Sequence, residues 1–145
     1  MCVTWLDGVA KNFMNYWLLK TEPSTFSWDD LVRDGRAEWT GVRNYAARNF
    51  MKAMATGDEV FIYHSNEGKE IVGLAKVITT AHADTTGTWE CVDVAPIKKL
   101  PRAVSLEEIK KIPEYKQMKL VTHGRLSVQP VTKSEWELII KLSQT

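Results

Sequence analysis

The sequence predicts an α+β domain: a small, partly closed mixed β-barrel flanked by short helices. Short apolar runs bounded by Gly, Pro and Asn are interrupted by short amphipathic segments, without the long β-α-β alternation of a doubly wound sheet. No Gly-rich phosphate loop follows a predicted strand. The length of 145 residues, 44% of them hydrophobic, suits one domain with a single core, and no repeat or low-complexity linker divides it.

Residues 1–14 precede the patterned sequence and read as an N-terminal extension or loosely ordered arm, an ordinary first strand being the alternative; the domain proper spans 15–145. "NYWLLKTEP" (15–23) is short, apolar and aromatic and is stopped by Pro23, as a buried strand would be. Ser27 then precedes "WDDLVRDG", where Asp29 and Asp30 suit a first helical turn and Gly35 an end. "RNYAARNFMKAM" (43–54) is an amphipathic helix with Asn44, Arg48 and Lys52 on one stripe. "GDEVFIYHSNEGKEIVGLAKVITTA" forms a hairpin about its "SNEGK" turn, and "TWECVDVAPIKKL" gives a further strand. "SLEEIKKI" opens on a Ser105–Glu108 capping box, "GRLSVQPV" is the last strand, and "TKSEWELIIKL" the closing helix, capped at Thr132 or Ser134.

A formal net charge of +1 excludes a global polycation, so any anion recognition must be local. Four of six arginines (Arg33, Arg36, Arg43, Arg48) fall within one short stretch, and guanidinium forks suit phosphate and stacking. Two cysteines and three histidines lack metal-ligand spacing, so no metal and no cofactor are expected. With no signal-like N-terminus and no long apolar run, the expected protein is cytoplasmic, away from membranes and monomeric.

No catalytic signature is visible. His64 adjoins Ser65, but neighbours on a strand point to opposite faces, and Cys91 near Asp93 lacks a nucleophile elbow. Binding chemistry is better represented. Trp39 before a Gly turn suits either a core position or a wall on which a base stacks. Its neighbours Arg43, Asn44 and Arg48 favour the wall, because they open a helix whose free N–H groups attract anions. On a strand, Arg125, Ser127 and Gln129 share one face, either as a solvated edge or as donors and acceptors toward a base. Lys20, Thr21 and Ser24 crowd hydrogen-bonding groups at a strand end, a place that rims a site as readily as it caps a core.

"YWLLKTEPSTFSWDDL", "WTGVRNYAARNFMKAMATGDEVFIYHS", "IVGLAKV" and "RLSVQPVT", in this order, strongly resemble the EVE domain family over residues 15 to about 142. The resemblance implies a PUA-like β-barrel with flanking helices, related to ASCH, SRA and YTH domains. It also implies a nucleic-acid partner, DNA or RNA, with a modified base flipped into an aromatic and polar pocket. In YTH domains a Trp in a similar place helps form an aromatic cage; Trp39 stands there, and Trp89 offers a second aromatic without a close motif match. The expected base site is Trp39, Lys20, Thr21, Ser24, Asn44, Tyr63, His64, Ser65, Ser127 and Gln129, with Arg43, Arg48 and Arg125 on phosphate. No catalytic residue is assigned. An enzyme, or a small-ligand protein that binds a free nucleoside, is the alternative.

Overall fold

The first strand, β1 (Tyr16–Thr21), is apolar on both sides and lies inside the sheet. Trp17 and Leu19 enter one hydrophobic cluster and Leu18 the other, as alternation along a strand requires. The computed structural model describes residues 15–39, 44–83 and 90–145. In it β1 pairs in parallel with β3 (Glu59–His64) and antiparallel with β6 (Val128–Val131). β4 (Glu70–Ala83) and β5 (Glu90–Ser105) continue the sheet past β3, and the two-residue β2 (Ala37–Glu38) joins the far side of β5.

The strand order is β2-β5-β4-β3-β1-β6, with β2 and β6 as its edges. The expected barrel therefore does not close; the mixed α+β character holds, but the sheet is open. The reason lies in what covers it. A barrel encloses one core, whereas this sheet carries a core on each face. Helices α1 (Trp28–Asp34) and α2 (Tyr45–Ala53) supply Leu31, Ala47 and Met51 to the first. Helices α3 (Leu106–Lys110), α4 (Lys119–Thr122) and α5 (Lys133–Leu142) supply Ile109, Leu120, Trp136 and Ile139 to the second. The long β4–β5 ladder shifts register several times, and such bulges bend and twist strands. Pro96 and Pro101 are tolerated in β5 because β2 reaches only Val94 and Asp93 on that side.

Local signals set the helix ends. Ser27 and Asp30 form a capping box on α1, and Gly35 ends it in the left-handed region at φ 77°. Asn44 caps α2 by accepting from Ala47 N, and Thr132, not Ser134, caps α5. The 3-10 turn Pro113–Tyr115 and α4 are additions to the expected elements. They bury Tyr115, Met118 and Leu120 over the second core. None of the helices among the described residues is long and apolar enough to cross a membrane. The segment 1–14, expected to be an extension, lies outside the described residues, as do Arg43 and Trp89.

Candidate nucleic-acid interface

β1 ends at Thr21, and the chain turns back because Thr25 N and Phe26 N both donate to Glu22 O, at 2.9 and 2.8 Å. Thr21 Oγ1 locks the turn by donating to Phe26 O at 2.6 Å. Opposite this turn runs β2, followed by Trp39, whose N–H donates to Val92 O at 2.7 Å. Between them lies a groove of about 550 Å³, lined by Lys20, Thr21, Glu22, Phe26, Glu38 and Trp39 among others. Trp39 is 7% exposed and belongs to the first core, yet its remaining surface faces the groove. Phe26 meets it edge-on, ring centroids 6.1 Å apart. The two roles open to Trp39 in the sequence, core and wall, thus coincide in one ring.

Lys20 links this groove to a second hollow. Its Nζ donates to Gly124 O at 2.7 Å and lies 5.7 Å from the Tyr63 ring centroid. Partial burial pushes the Lys20 ammonium below its ordinary pKa. Gly124 borders a hollow of about 370 Å³ lined by Asn44, Ala46, His123, Arg125 and Leu126. Arg125 is exposed there and forms no ion pair with a described carboxylate.

Several expected site residues have other work in the structure. Gln129 is 0% exposed, and its Nε2 donates to Leu126 O at 2.8 Å, so it braces the loop before β6. It pairs with Leu18 across the sheet and so points to the second core; Arg125 and Ser127 precede β6 and do not share a strand face with it, and Arg125 is exposed in a turn. Ser127 meets β1 through its carbonyl, which accepts from Lys20 N at 3.0 Å. Asn44 spends its side-chain oxygen on capping α2. Tyr63 is buried in the second core, and burial raises its phenol pKa. Ser65 bonds to β1 through its N–H, which donates to Thr21 O at 2.8 Å, and Ser24 is exposed in the turn.

The arginine cluster is also largely neutralised. Arg33 pairs with Asp30 and Asp34, and Arg36 with Asp93 at 2.6 Å. Arg48 Nε donates to Glu90 Oε1 at 3.1 Å, and Lys52 shares that carboxylate. Of the expected phosphate contacts, Arg125 alone among the described residues is uncommitted to a carboxylate, and Arg43 lies outside them.

His64 is a structural acceptor. Its Nε2 accepts from Trp28 N at 3.0 Å, satisfying one of the donors left open at the start of α1. Burial lowers its pKa, with Glu70 and Asp29 opposing that shift and Lys99 adding to it. The neutral imidazole is therefore the form that folds. Unfolded chains take up a proton near the ordinary value of about 6.5, before the folded form does, so the stabilisation is complete above that pH and is lost as pH falls below it. Urea denaturation of the parent is expected to show a loss of stability below pH ~6.5 that His64→Gln does not share; parallel pH profiles would remove His64 from this role.

A second constellation has no counterpart among the motifs of the sequence. Glu38, His82, Cys91 and Asp93 place one ligand-type atom each within 4.8 Å of one another. Positions so far apart in the chain, drawn from three strands, form no spacing motif; only strand pairing unites them. His82 Nε2 donates to Asp93 Oδ1 at 3.0 Å and Nδ1 to Ala83 O at 3.1 Å, a pattern of the protonated ring, and Asp93 raises its pKa. Cys91 Sγ lies 3.7 and 3.8 Å from the same two nitrogens. With both nitrogens donating elsewhere, the ring is not placed as a base toward Cys91, and His64 is not placed as one toward Ser65.

The model of the EVE domain family matches residues 15–142. Thymocyte nuclear protein 1 of Mus musculus is 37% identical, the match covering 100% of this chain and 80% of the relative. A crystal structure of a protein from Agrobacterium tumefaciens is 46% identical with a TM-score of 0.87, covering 89% of this chain and 92% of the other. The human THYN1 protein, solved in complex with DNA containing 5-methylcytosine, is 32% identical with a TM-score of 0.85, over 90% of this chain and 98% of that one. A weaker likeness to ASCH from Zymomonas mobilis, 12% identical with a TM-score of 0.54 over 88% of this chain and 94% of that one, concerns the fold alone. With a family model spanning nearly the whole patterned sequence and relatives matched along most of their length, this chain belongs to the EVE domain family.

Proposed function

We propose that this chain is a nucleic-acid-binding module that reads a modified base, and that the groove between the β1 turn and β2 receives it. The observation that carries the reading is the lining itself: an aromatic wall of Trp39 and Phe26 beside Lys20 and Glu22. A cytosine edge presents an amine that donates and a ring nitrogen and carbonyl that accept. A carboxylate and an ammonium in one groove complement that edge, and apolar surface at Trp39, Phe26 and Ala37 suits a 5-methyl group. The volume of about 550 Å³ falls within the ~300–1,000 Å³ usual for small-molecule sites. Support also comes from the human THYN1 protein, a family member solved with 5-methylcytosine DNA. A base must leave its stack to reach such a groove, at a cost of a few kcal/mol that a single strand avoids. The adjoining hollow at Arg125, tied to the groove through Lys20 and Gly124, takes the flanking phosphate.

The test is an anisotropy titration of single strands that differ only at one 5-methylcytosine, with the free 5-methyl nucleoside as competitor. The methylated strand is expected to bind about tenfold more tightly, or roughly 1.4 kcal/mol. Arg125→Ala is expected to weaken both strands about equally and to reduce the log–log salt slope by about 1, because phosphate contacts position without specifying. Arg48→Ala is expected to leave binding near the parent value, since Glu90 already engages that guanidinium. Equal affinity for the two strands would defeat the base-reading proposal, and full competition by the nucleoside would favour a free small ligand.

A further inference from the structure

We propose that Glu38, His82, Cys91 and Asp93 form a site for one zinc ion, on the sheet face opposite the first core. The placement follows from strand geometry. Glu38 pairs with Asp93 across β2 and β5, and His82 pairs with Cys91 across β4 and β5. Ala37, Ala81, Val92 and Val94 pack in or against the first core. Alternation therefore turns Glu38, His82, Cys91 and Asp93 together to the other side. Donors fixed on paired strands are held more closely than donors on loops.

The spacing suits a tetrahedral ion. At metal–ligand bonds of about 2.0–2.3 Å, neighbouring ligand atoms lie roughly 3.3–3.8 Å apart. His82 Nε2 already lies 3.0 Å from Asp93 Oδ1 and 3.8 Å from Cys91 Sγ, and all four donors fall within 4.8 Å of one another. An ion-pair network explains only part of this. Asp93 is bonded to Arg36 through Oδ2 and to His82 through Oδ1, and the Thr79 hydroxyl also hydrogen-bonds to it. Without metal, Glu38 and Asp93 balance Arg36 and the protonated His82. What the Cys91 thiol adds beside them is a soft ligand, which turns a charge network into a mixed sulfur, nitrogen and oxygen donor set.

The donor chemistry selects the ion. Thiolate and imidazole disfavour magnesium and calcium, whereas one sulfur, one nitrogen and two oxygens are all zinc ligands. Two carboxylates and a thiolate carry three negative charges; zinc and Arg36 carry three positive ones, so the loaded site is neutral. Binding displaces one proton from the Cys91 thiol and one from the His82 ring to solvent. Arg36, through Asp93 Oδ2, leaves Oδ1 for the metal and orients it. Cys91 is 0% exposed while Glu38 is exposed, so the ion enters past Glu38 and meets sulfur at the bottom. β2 is only two residues long, and a metal would staple it to β4 and β5 beside Trp39.

The test uses the full chain, stripped by a chelator and titrated with zinc chloride by calorimetry and with cobalt chloride by absorption. One ion per chain is expected, with a rise in Tm and a thiolate-to-cobalt charge-transfer band. Cys91→Ser should abolish that band, and Glu38→Gln, at an exposed position that the fold does not need, should weaken zinc at least tenfold. Both variants are to be melted without metal; if Cys91→Ser fails to fold, the parent spectrum and Glu38→Gln decide. No stoichiometric ion, a cobalt complex without the thiolate band, a band that survives Cys91→Ser, or parent-like affinity in Glu38→Gln would overturn the site. The base-reading titration is scored separately, on stripped and zinc-loaded protein, so either idea can fail alone.

Discussion

Gly73→Ala is expected to lower the unfolding free energy by about 3 kcal/mol, at the upper end of what overpacking costs. A Cβ on Gly73 would lie 2.5, 2.6 and 2.7 Å from Trp28 Cζ3, Cε3 and Cη2, distances that real carbon contacts do not reach. Neither partner has room to yield. Gly73 is fixed in β4 between Ile62 of β3 and Lys99 of β5. Trp28 is 3% exposed, and its own N–H is held by His64. The indole would have to leave its place in the first core, tilting α1 away from the sheet. Denaturant melts of Gly73→Ala, of Trp28→Leu and of the two combined provide the check. The second substitution should be less costly in the alanine background than in the parent, because the clash has gone. A loss below about 0.5 kcal/mol, or strict additivity of the two changes, would show that the sheet accommodates the methyl group.

The same pair shows which parts of the fold a sequence discloses. Ser27, Asp30 and Gly35 announce α1 because capping is decided within a few residues of chain. That Gly73 must be glycine to admit Trp28 is a tertiary fact, joining positions far apart in the chain. Gln129 illustrates a failure of pattern reasoning: period-two alternation marks a polar face only where one side of the sheet is wet, and here both are covered. Likewise the run of arginines reads as a basic patch until Glu90 and Asp93, distant in sequence, are seen to neutralise Arg48 and Arg36. The four-residue helix α4 carries too little periodicity to be foreseen. The Glu38, His82, Cys91 and Asp93 cluster depends on strand register with several bulges, which no spacing rule contains. Trp39 and the hydrogen-bonding groups of Lys20, Thr21 and Ser24 stand out by residue type alone, whereas the groove that lies between Trp39 and the turn after β1 is a tertiary feature.

Trp39→Ala is expected to act on stability and recognition together, with the loss of stability the greater of the two. Removing a large aromatic that is 7% exposed and packed in the first core costs about 3–5 kcal/mol. Phe26 loses its edge-on partner at the same time, so the wall of the groove collapses from both sides. Stacking on such a wall contributes about 1–3 kcal/mol per base. At a temperature where the variant remains folded, the preference for the methylcytosine strand over its unmodified counterpart is therefore expected to vanish, while a weaker, salt-sensitive affinity through Arg125 persists. Trp39→Phe keeps an apolar ring in the core and should recover most of the stability, with a smaller part of the preference. The measurements are equilibrium melts and paired titrations on all three proteins. A stability loss under about 1 kcal/mol in Trp39→Ala would contradict its burial. A folded Trp39→Ala protein that keeps the parent ratio of affinities would place the base somewhere other than this groove, whatever the melts report.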